Sequence, residues 1–172
     1  MHHVGSNMVE AIRCAQYVFG RGRIYFEVAS ALSVALKPDE IDRYNLVNTE
    51  CNYHTPPREQ SELFARAGMS ELSGGISVFF VKAILTSDGV ANGCAVHPPH
   101  RPLLLIGTKT TPWTLAHETG HVLLGSTWLP AHTFEANNLM YAFSYRFNAN
   151  DEPTLNEFQL VQMRNSPYVA RC

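Results

Sequence analysis

The chain has 172 residues, of which 45% are hydrophobic and 16% charged, and its 13 Lys and Arg against 15 Asp and Glu give a net charge of −2. This length fits about one globular domain with its own core, and the composition excludes a disordered chain and a polycationic nucleic-acid arm. The longest mostly apolar stretch, residues 76–85, is far shorter than the roughly 18 residues of a membrane helix. We therefore predict one domain over residues 1–172, with no nucleic-acid partner and no membrane span.

The first part of the chain predicts two helices with a strand between them. In residues 6–19 the apolar side chains recur at intervals of three and four, which predicts an amphipathic helix. Residues 24–36 are rich in β-branched and aromatic types, and they predict a strand that ends at Pro38. Residues 45–58 have the polar, proline-containing composition of a surface loop, and residues 59–72 fit a short helix.

The middle of the chain predicts three further strands. Residues 76–85 indicate a buried strand, and the Ser-Asp-Gly sequence at 87–89 indicates a turn. Residues 90–96 fit an edge strand and residues 103–107 a short apolar strand. Because helices and strands alternate before helices close the chain, we expect an α+β fold in which helices pack on a mixed β-sheet.

The four cysteines leave the redox environment open. Cys14, Cys51, Cys94 and Cys172 are even in number but widely spaced, and they include no CxxC pair. One or two disulfides would fit a secreted protein, whereas four thiols would fit a cytosolic one.

One motif carries clear chemistry. The sequence His-Glu-Thr-Gly-His at 117–121 matches H-E-x-x-H. Residues four apart share one helical face, so His117 and His121 can bind the same Zn²⁺, and Glu118 between them can act as general base for hydrolysis. The motif therefore predicts a zinc site with a catalytic carboxylate.

The flanking residues predict that this motif lies on a helix. Thr111 fits an N-cap, Pro112 fits the first helical position, and Gly125 stands where such a helix would stop. A closing helix is predicted over residues 154–165.

A catalytic zinc usually takes three protein ligands, and the third has three candidates downstream. His132 follows His121 by eleven residues, after a Gly and a Pro that can turn the chain back. Glu135 fits a solvated loop carboxylate equally well. Glu157 also completes a Thr-x-x-Glu capping box with Thr154, and we prefer that role for it.

These parts together resemble the metzincin zinc metallopeptidases. The resemblance rests on residues 117–125, on His132, on the Asn-Leu-Met-Tyr sequence at 138–141 and on the predicted closing helix. The spacing departs from the family pattern in two ways. Gly125 lies four residues after His121 rather than three, and six residues rather than two separate Gly125 from His132. A loop of another length can still deliver His132, because only the position of its imidazole is constrained.

The resemblance implies a fold and a set of roles. The fold is zincin-like, with a twisted mixed β-sheet, an N-terminal helix, an active-site helix and a C-terminal helix after a Met-turn. His117, His121 and His132 would bind one catalytic Zn²⁺, and Met140 would form the Met-turn beneath it. Tyr141 and Tyr145 stand near this turn, where a tyrosine donates to the oxyanion in some metzincins. Small metzincins are often exported, which favours a secreted or extracytoplasmic location.

We therefore predict a zinc-dependent metalloendopeptidase that hydrolyses peptide or protein substrates, with Glu118 as general base. One alternative is a gluzincin-like peptidase in which Glu157 or Glu135 is the third ligand. Another is a non-catalytic zinc-binding domain, against which the intact Glu118 argues, since a structural site needs no base.

Overall fold

The structure is a computed structural model that describes residues 4–31, 33, 36–49, 51, 58–66, 75–97, 102–108 and 110–170. The chain forms two compact units, a helical unit (Met1–Glu27 with Thr110–Cys172) and a sheet unit (Val28–Lys109). The single catalytic domain over residues 1–172 stays a prediction. In chain order the elements are α1 (Val4–Arg21), α2 (Pro38–Asn45), β1 (Leu46–Asn48), α3 (Arg58–Arg66), β2 (Ser77–Val81), β3 (Ala83–Thr86), β4 (Gly89–Ala91), β5 (Gly93–Val96), β6 (Leu103–Gly107), α4 (Thr114–Leu124), the 3-10 turn η1 (Ser144–Arg146) and α5 (Glu157–Arg164).

The helical unit is built around α4. Helices α1 and α5 both pack against it, and every residue of α4 is buried. Helix α1 confirms the predicted N-terminal helix, and its apolar stripe of Ala11, Ala15, Val18 and Phe19 is buried. A helix covered on all sides is a rigid mount for side chains that must hold a fixed geometry.

The sheet unit contains two small mixed sheets, with strand orders β1-β3-β4 and β2-β6-β5. In the second sheet the central strand β6 pairs parallel to β2 and antiparallel to β5, and all five of its residues are buried. The α+β class is confirmed, and so is the apolar strand predicted at 103–107. The expectation of one mixed sheet is wrong, because the described strands form two sheets of three.

Two predicted strands are each interrupted. The strand predicted at 76–85 bends at Lys82 and becomes β2 and β3, and the strand predicted at 90–96 bends at Asn92 and becomes β4 and β5. The two products of each interruption join different sheets. The end of β6 stabilises both bends, because Gly107 N–H donates to the Asn92 carbonyl at 2.9 Å and the Thr108 hydroxyl donates to the Lys82 carbonyl at 3.2 Å. As predicted, β4 and β5 lie at sheet edges.

The strand predicted at 24–36 is wrong over its described residues, which are 24–31, 33 and 36. The chain turns at Arg23, whose φ is 59°. Ile24 N–H then donates to the Phe19 carbonyl at 3.0 Å, and the Phe26 ring stacks on the Phe19 ring with centroids 6.3 Å apart. Tyr25 is 84% exposed. Ile24 and Phe26 therefore contact the end of α1 instead of pairing in a sheet.

The region after Pro38 also differs from expectation. Pro38 begins helix α2 rather than only ending a strand, because proline suits the first helical turn and Asp39 and Glu40 follow in that turn. The loop predicted at 45–58 begins with β1, which pairs parallel to β3, and residues 52–57 lie outside the described residues. The helix predicted at 59–72 is confirmed as α3, and its last part, residues 67–72, also lies outside them.

A disulfide joins Cys51 and Cys94 in the sheet unit, with their Cα atoms 5.3 Å apart. Cys14 is a free thiol, and Cys172 lies outside the described residues. Among the described helices, none has the length and the hydropathy that crossing a bilayer requires.

The disulfide predicts a measurable contribution to stability. It closes a segment of sequence separation 43, so replacing both cysteines by serine should lower the free energy of unfolding by roughly 2–4 kcal/mol. Urea denaturation of the double variant measures this loss. The control Cys14→Ser should change the midpoint little, and an unchanged midpoint in the double variant would contradict the assignment.

Candidate metal centre

The H-E-x-x-H residues lie on the buried helix α4, whose two ends are defined by backbone hydrogen bonds. It begins at Thr114, with Trp113 at the N-cap and no side-chain cap. The N-cap predicted at Thr111 and the first helical position predicted at Pro112 are therefore wrong, because both residues precede the helix. The Thr111 oxygens instead accept from Trp113 N–H at 3.3 Å and Thr114 N–H at 3.1 Å, forming the turn that leads into the helix. Gly125 ends the helix as predicted, with a φ of 86° and its N–H donating to the His121 carbonyl at 3.0 Å.

Three imidazoles meet at one point. The Nε2 atoms of His117 and His121 are 3.2 Å apart, and the Nε2 atom of His132 lies 3.3 Å from the first and 3.1 Å from the second. These three residues form a group able to hold a metal ion within the described part of the chain. The structure thus brings together the three histidines singled out in the sequence, despite the longer segment before His132.

This spacing fits a tetrahedral metal ion. Zinc–nitrogen bonds of about 2.0–2.1 Å at tetrahedral angles require nitrogens about 3.3–3.4 Å apart. The observed separations of 3.1–3.3 Å agree with that requirement. Three protein ligands would leave a fourth position of a bound ion for water or substrate, as in catalytic zinc sites.

A backbone carbonyl selects the tautomer of His117. The Nδ1 atom of this ring lies 2.7 Å from the Leu139 carbonyl oxygen. A carbonyl only accepts hydrogen bonds, so Nδ1 carries the proton and the Nε2 lone pair points into the cluster. Such a partner on the distal nitrogen orients a metal-binding histidine and raises its basicity as a ligand.

Burial favours the neutral form of two of the three imidazoles. Desolvation of the His117 ring lowers the pKa of His117 to about 4, opposed by the hydrogen bond to Leu139 and reinforced by His132. His132 is an exposed residue on a loop, yet desolvation of its ring also lowers its pKa. Neutral imidazoles bind metals, so these shifts reduce the competition between protons and a metal ion near neutral pH.

Backbone pairing explains how a loop delivers His132. The next residue, Thr133, donates its N–H to the Met140 carbonyl at 2.9 Å, and its own carbonyl accepts from Ala142 N–H at 3.0 Å. Thr133 and Tyr141 form a bridge through these bonds. The chain around His132 is thereby fixed to the segment that contains Met140, and the length of the preceding loop does not decide where the imidazole lies.

Met140 lies directly beneath α4. Its side chain is fully buried, and a Cβ atom added to Gly120 would come within 2.5 Å of its sulfur. Glycine at this position, between Glu118 and His121 in sequence, permits close contact between the helix and the turn that contains Met140. The Met140 N–H donates to the Asn138 side-chain oxygen at 2.9 Å, which stabilises that turn.

The other predicted carboxylates lie in different surroundings. Glu118 is buried on α4, with 8% of its surface exposed. Glu135 is exposed, and its side chain accepts from the Asn138 amide at 3.4 Å. Glu157 is exposed and pairs with Arg164 at 3.3 Å. The metal-capable group among the described residues contains neither Glu135 nor Glu157.

The cap predicted for Glu157 is also wrong. Helix α5 confirms the closing helix but begins at Glu157, and its capping box is formed by Asn156 and Gln159 instead of Thr154 and Glu157. Asn156-x-x-Gln159 is an equally good capping box in the sequence, shifted by two residues. This signal could have identified Gln159, a buried residue that the sequence analysis missed.

The two tyrosines have different environments. Tyr141 is half-buried, and its ring centroid lies 5.5 Å from that of Phe143 and 6.3 Å from that of Phe147. Tyr145 is exposed, with the Arg146 guanidinium 5.7 Å from its ring centroid. Both packing arrangements involve the rings, and the roles of the two hydroxyls as oxyanion donors stay predictions.

Comparison with known proteins adds no relative. No family model matches the chain, and no match was found among curated proteins or solved structures. The functional argument therefore rests on the geometry of the site.

The contact between Gly120 and Met140 predicts an effect of added volume. Gly120→Ala should lower the free energy of unfolding by about 1 kcal/mol or more, since overpacking outweighs the gain in helix propensity, and should weaken metal binding. Gly20→Ala is the matched control, because Gly20 is also helical and nothing lies within 4 Å of its added Cβ. Urea denaturation and zinc titration of both variants test this, and equal effects would contradict it.

The lowered pKa of His117 predicts acid sensitivity of the metal-free protein. The unfolded state gains a proton on this residue near pH 6.5 and the folded state only near pH 4, so acid favours unfolding across that window. The free energy of unfolding should fall between pH 6.5 and pH 4, and it should fall less in His117→Asn. Urea denaturation after chelation measures both proteins, and parallel pH profiles would contradict the assignment.

Proposed function

We propose that this chain is a zinc-dependent metallopeptidase with His117, His121 and His132 as metal ligands and Glu118 as general base. The observation that carries the proposal is the convergence of three Nε2 atoms within 3.1–3.3 Å of one another on and beside a buried helix that also bears Glu118.

The donor set supports zinc as the metal. Imidazole nitrogen suits zinc, copper, nickel and iron, whereas magnesium and calcium take oxygen ligands. Three protein ligands with a fourth position open are typical of catalytic zinc, and four protein ligands of structural zinc. The three-histidine group therefore favours a catalytic ion over a structural one.

The roles of the protein groups follow from this arrangement. When bound, zinc acidifies a water molecule and polarises the substrate carbonyl. Glu118 accepts a proton from the attacking water and delivers it to the leaving amine of the peptide. The Leu139 carbonyl keeps the proton of His117 on Nδ1, and the burial of α4 holds Glu118 and the two helical histidines in one rigid frame.

The metzincin assignment is part of this proposal. It is supported by the order of parts, with the helix first, then His132, then the turn with Met140, then α5. It is also supported by the contact of Met140 with Gly120, which lies on the same helix as the two helical histidines. The substrates we propose are peptides or proteins.

The disulfide is our basis for proposing an extracytoplasmic location. The Cys51–Cys94 bond fits an oxidising compartment, because reducing compartments keep most thiols free.

The general-base role predicts a separation between binding and activity. Glu118→Gln should retain stoichiometric zinc, because the ligands are unchanged, and should lose peptidase activity by about 10²–10⁴-fold. Zinc content and hydrolysis of a broad peptide library measure the two properties. Glu157→Gln is the control, since that carboxylate is exposed and paired with Arg164.

Two outcomes would contradict the proposal. If Glu118→Gln were as active as the wild type, Glu118 would not be the general base. A zinc-loaded wild type that cleaves no member of the library would favour the non-catalytic zinc-binding domain instead.

A further inference from the structure

A pair of buried side-chain amides lies behind the metal centre. Asn138 donates from its Nδ2 to Gln159 Oε1 at 3.0 Å, and Gln159 donates from its Nε2 to Asn138 Oδ1 at 3.1 Å. Only 3% of Asn138 and 4% of Gln159 are exposed. The two residues are 21 positions apart in the sequence, so the pair joins the turn before Met140 to helix α5.

One end of this pair holds the backbone that contacts His117. Asn138 Oδ1 also accepts from Met140 N–H at 2.9 Å. Leu139 lies between these two residues, and its N–H donates to the Thr154 carbonyl at 2.8 Å. These bonds fix the Leu139–Met140 peptide unit, which contains the Leu139 carbonyl, and the Asn138–Leu139 unit before it. The oxygen of that carbonyl lies 2.7 Å from His117 Nδ1 and accepts its hydrogen bond.

The other end of the pair is the first turn of α5. Gln159 Oε1 accepts from Asn156 N–H at 2.9 Å as well as from Asn138, while Asn156 Oδ1 accepts from Gln159 N–H at 2.9 Å. The Gln159 oxygen therefore has two donors, one in the helix cap and one in the turn. A shift of this amide would break bonds in both places.

We propose that Asn138 and Gln159 are positioning residues for the metal ligand His117, acting through the Leu139 carbonyl. The amide pair holds this carbonyl on Nδ1 and so keeps the Nε2 lone pair of His117 directed at the ion. Removing the pair loosens the carbonyl, and the imidazole loses its fixed tautomer and orientation. The effect on zinc affinity rests on the proposed metal site, whereas the effect on the His117 proton does not.

The chain offers variants that separate this role from helix capping. Gln159→Met has nearly the same size as the native residue, and its side chain lacks every hydrogen bond to Asn138. Asn156→Ala is the matched control, because it removes the side-chain half of the same capping box and leaves the amide pair intact. If Gln159→Met does not fold, Gln159→Glu is the second variant: it keeps an acceptor for Asn138 and Asn156 and replaces the donor to Asn138 by a carboxylate oxygen.

Three measurements on each full-length variant test the proposal. Zinc affinity is measured by competition with a chromophoric chelator, and ligand geometry by the visible spectrum of the protein loaded with Co²⁺. The third is the NMR resonance of the His117 Nδ1–H proton in the zinc-free protein. This resonance is observable because a buried, hydrogen-bonded imidazole proton exchanges slowly with water.

Gln159→Met should weaken zinc binding by about 10–100-fold, as other partners of ligand histidines do. It should alter the Co²⁺ spectrum and shift or broaden the His117 Nδ1–H resonance, and Gln159→Glu should change all three readouts in the same direction. Asn156→Ala should lower the urea midpoint yet leave all three readouts at wild-type values.

Wild-type zinc affinity and an unchanged His117 resonance in a folded Gln159 variant would overturn the proposal. Equal losses in Gln159→Met and Asn156→Ala would also overturn it, because they would assign both residues to capping. Failure of the proposed function looks different. If the zinc-loaded protein is inactive, the ratios of zinc affinity between the variants and the wild type still test the positioning role. If the wild type binds no zinc, the His117 Nδ1–H resonance alone tests it.

Discussion

Three imidazole Nε2 atoms that meet at one point are the constraint on which the helical unit depends. Nitrogen lone pairs 3.1–3.3 Å apart repel one another wherever neither a proton nor a cation lies between them. The rings must therefore be held by the surrounding protein. Complete burial of α4 holds two of them, and the backbone bridge between Thr133 and Tyr141 holds the loop of the third.

The segment from Thr133 to Thr154 connects these supports. It gives the backbone partners that fix the loop of His132, the carbonyl that orients His117, and the methionine that packs beneath Gly120. Its own conformation is stabilised by buried hydrogen bonds to α5. Buried polar networks of this kind specify one arrangement when every member is satisfied, which suits a site that tolerates little displacement.

The parts that could be predicted from sequence are those set by local geometry. The spacing of His117 and His121 predicts a shared helical face wherever it falls in a helix, and Gly125 marks the end of that helix. The Asn138–Gln159 pair was out of reach, because nothing in the sequence aligns two amides 21 residues apart. The interruptions of the two predicted strands were out of reach for a similar reason, because the bends at Lys82 and Asn92 depend on hydrogen bonds to the end of β6.

Metal analysis tests the central claim most directly. Wild type, His132→Ala and Glu157→Ala would be purified without added zinc and measured by inductively coupled plasma mass spectrometry. The three-histidine site predicts one zinc per chain in the wild type and in Glu157→Ala, and loss of that zinc in His132→Ala. Full zinc occupancy in His132→Ala would contradict the ligand set, and a wild type without zinc would contradict the metal centre itself.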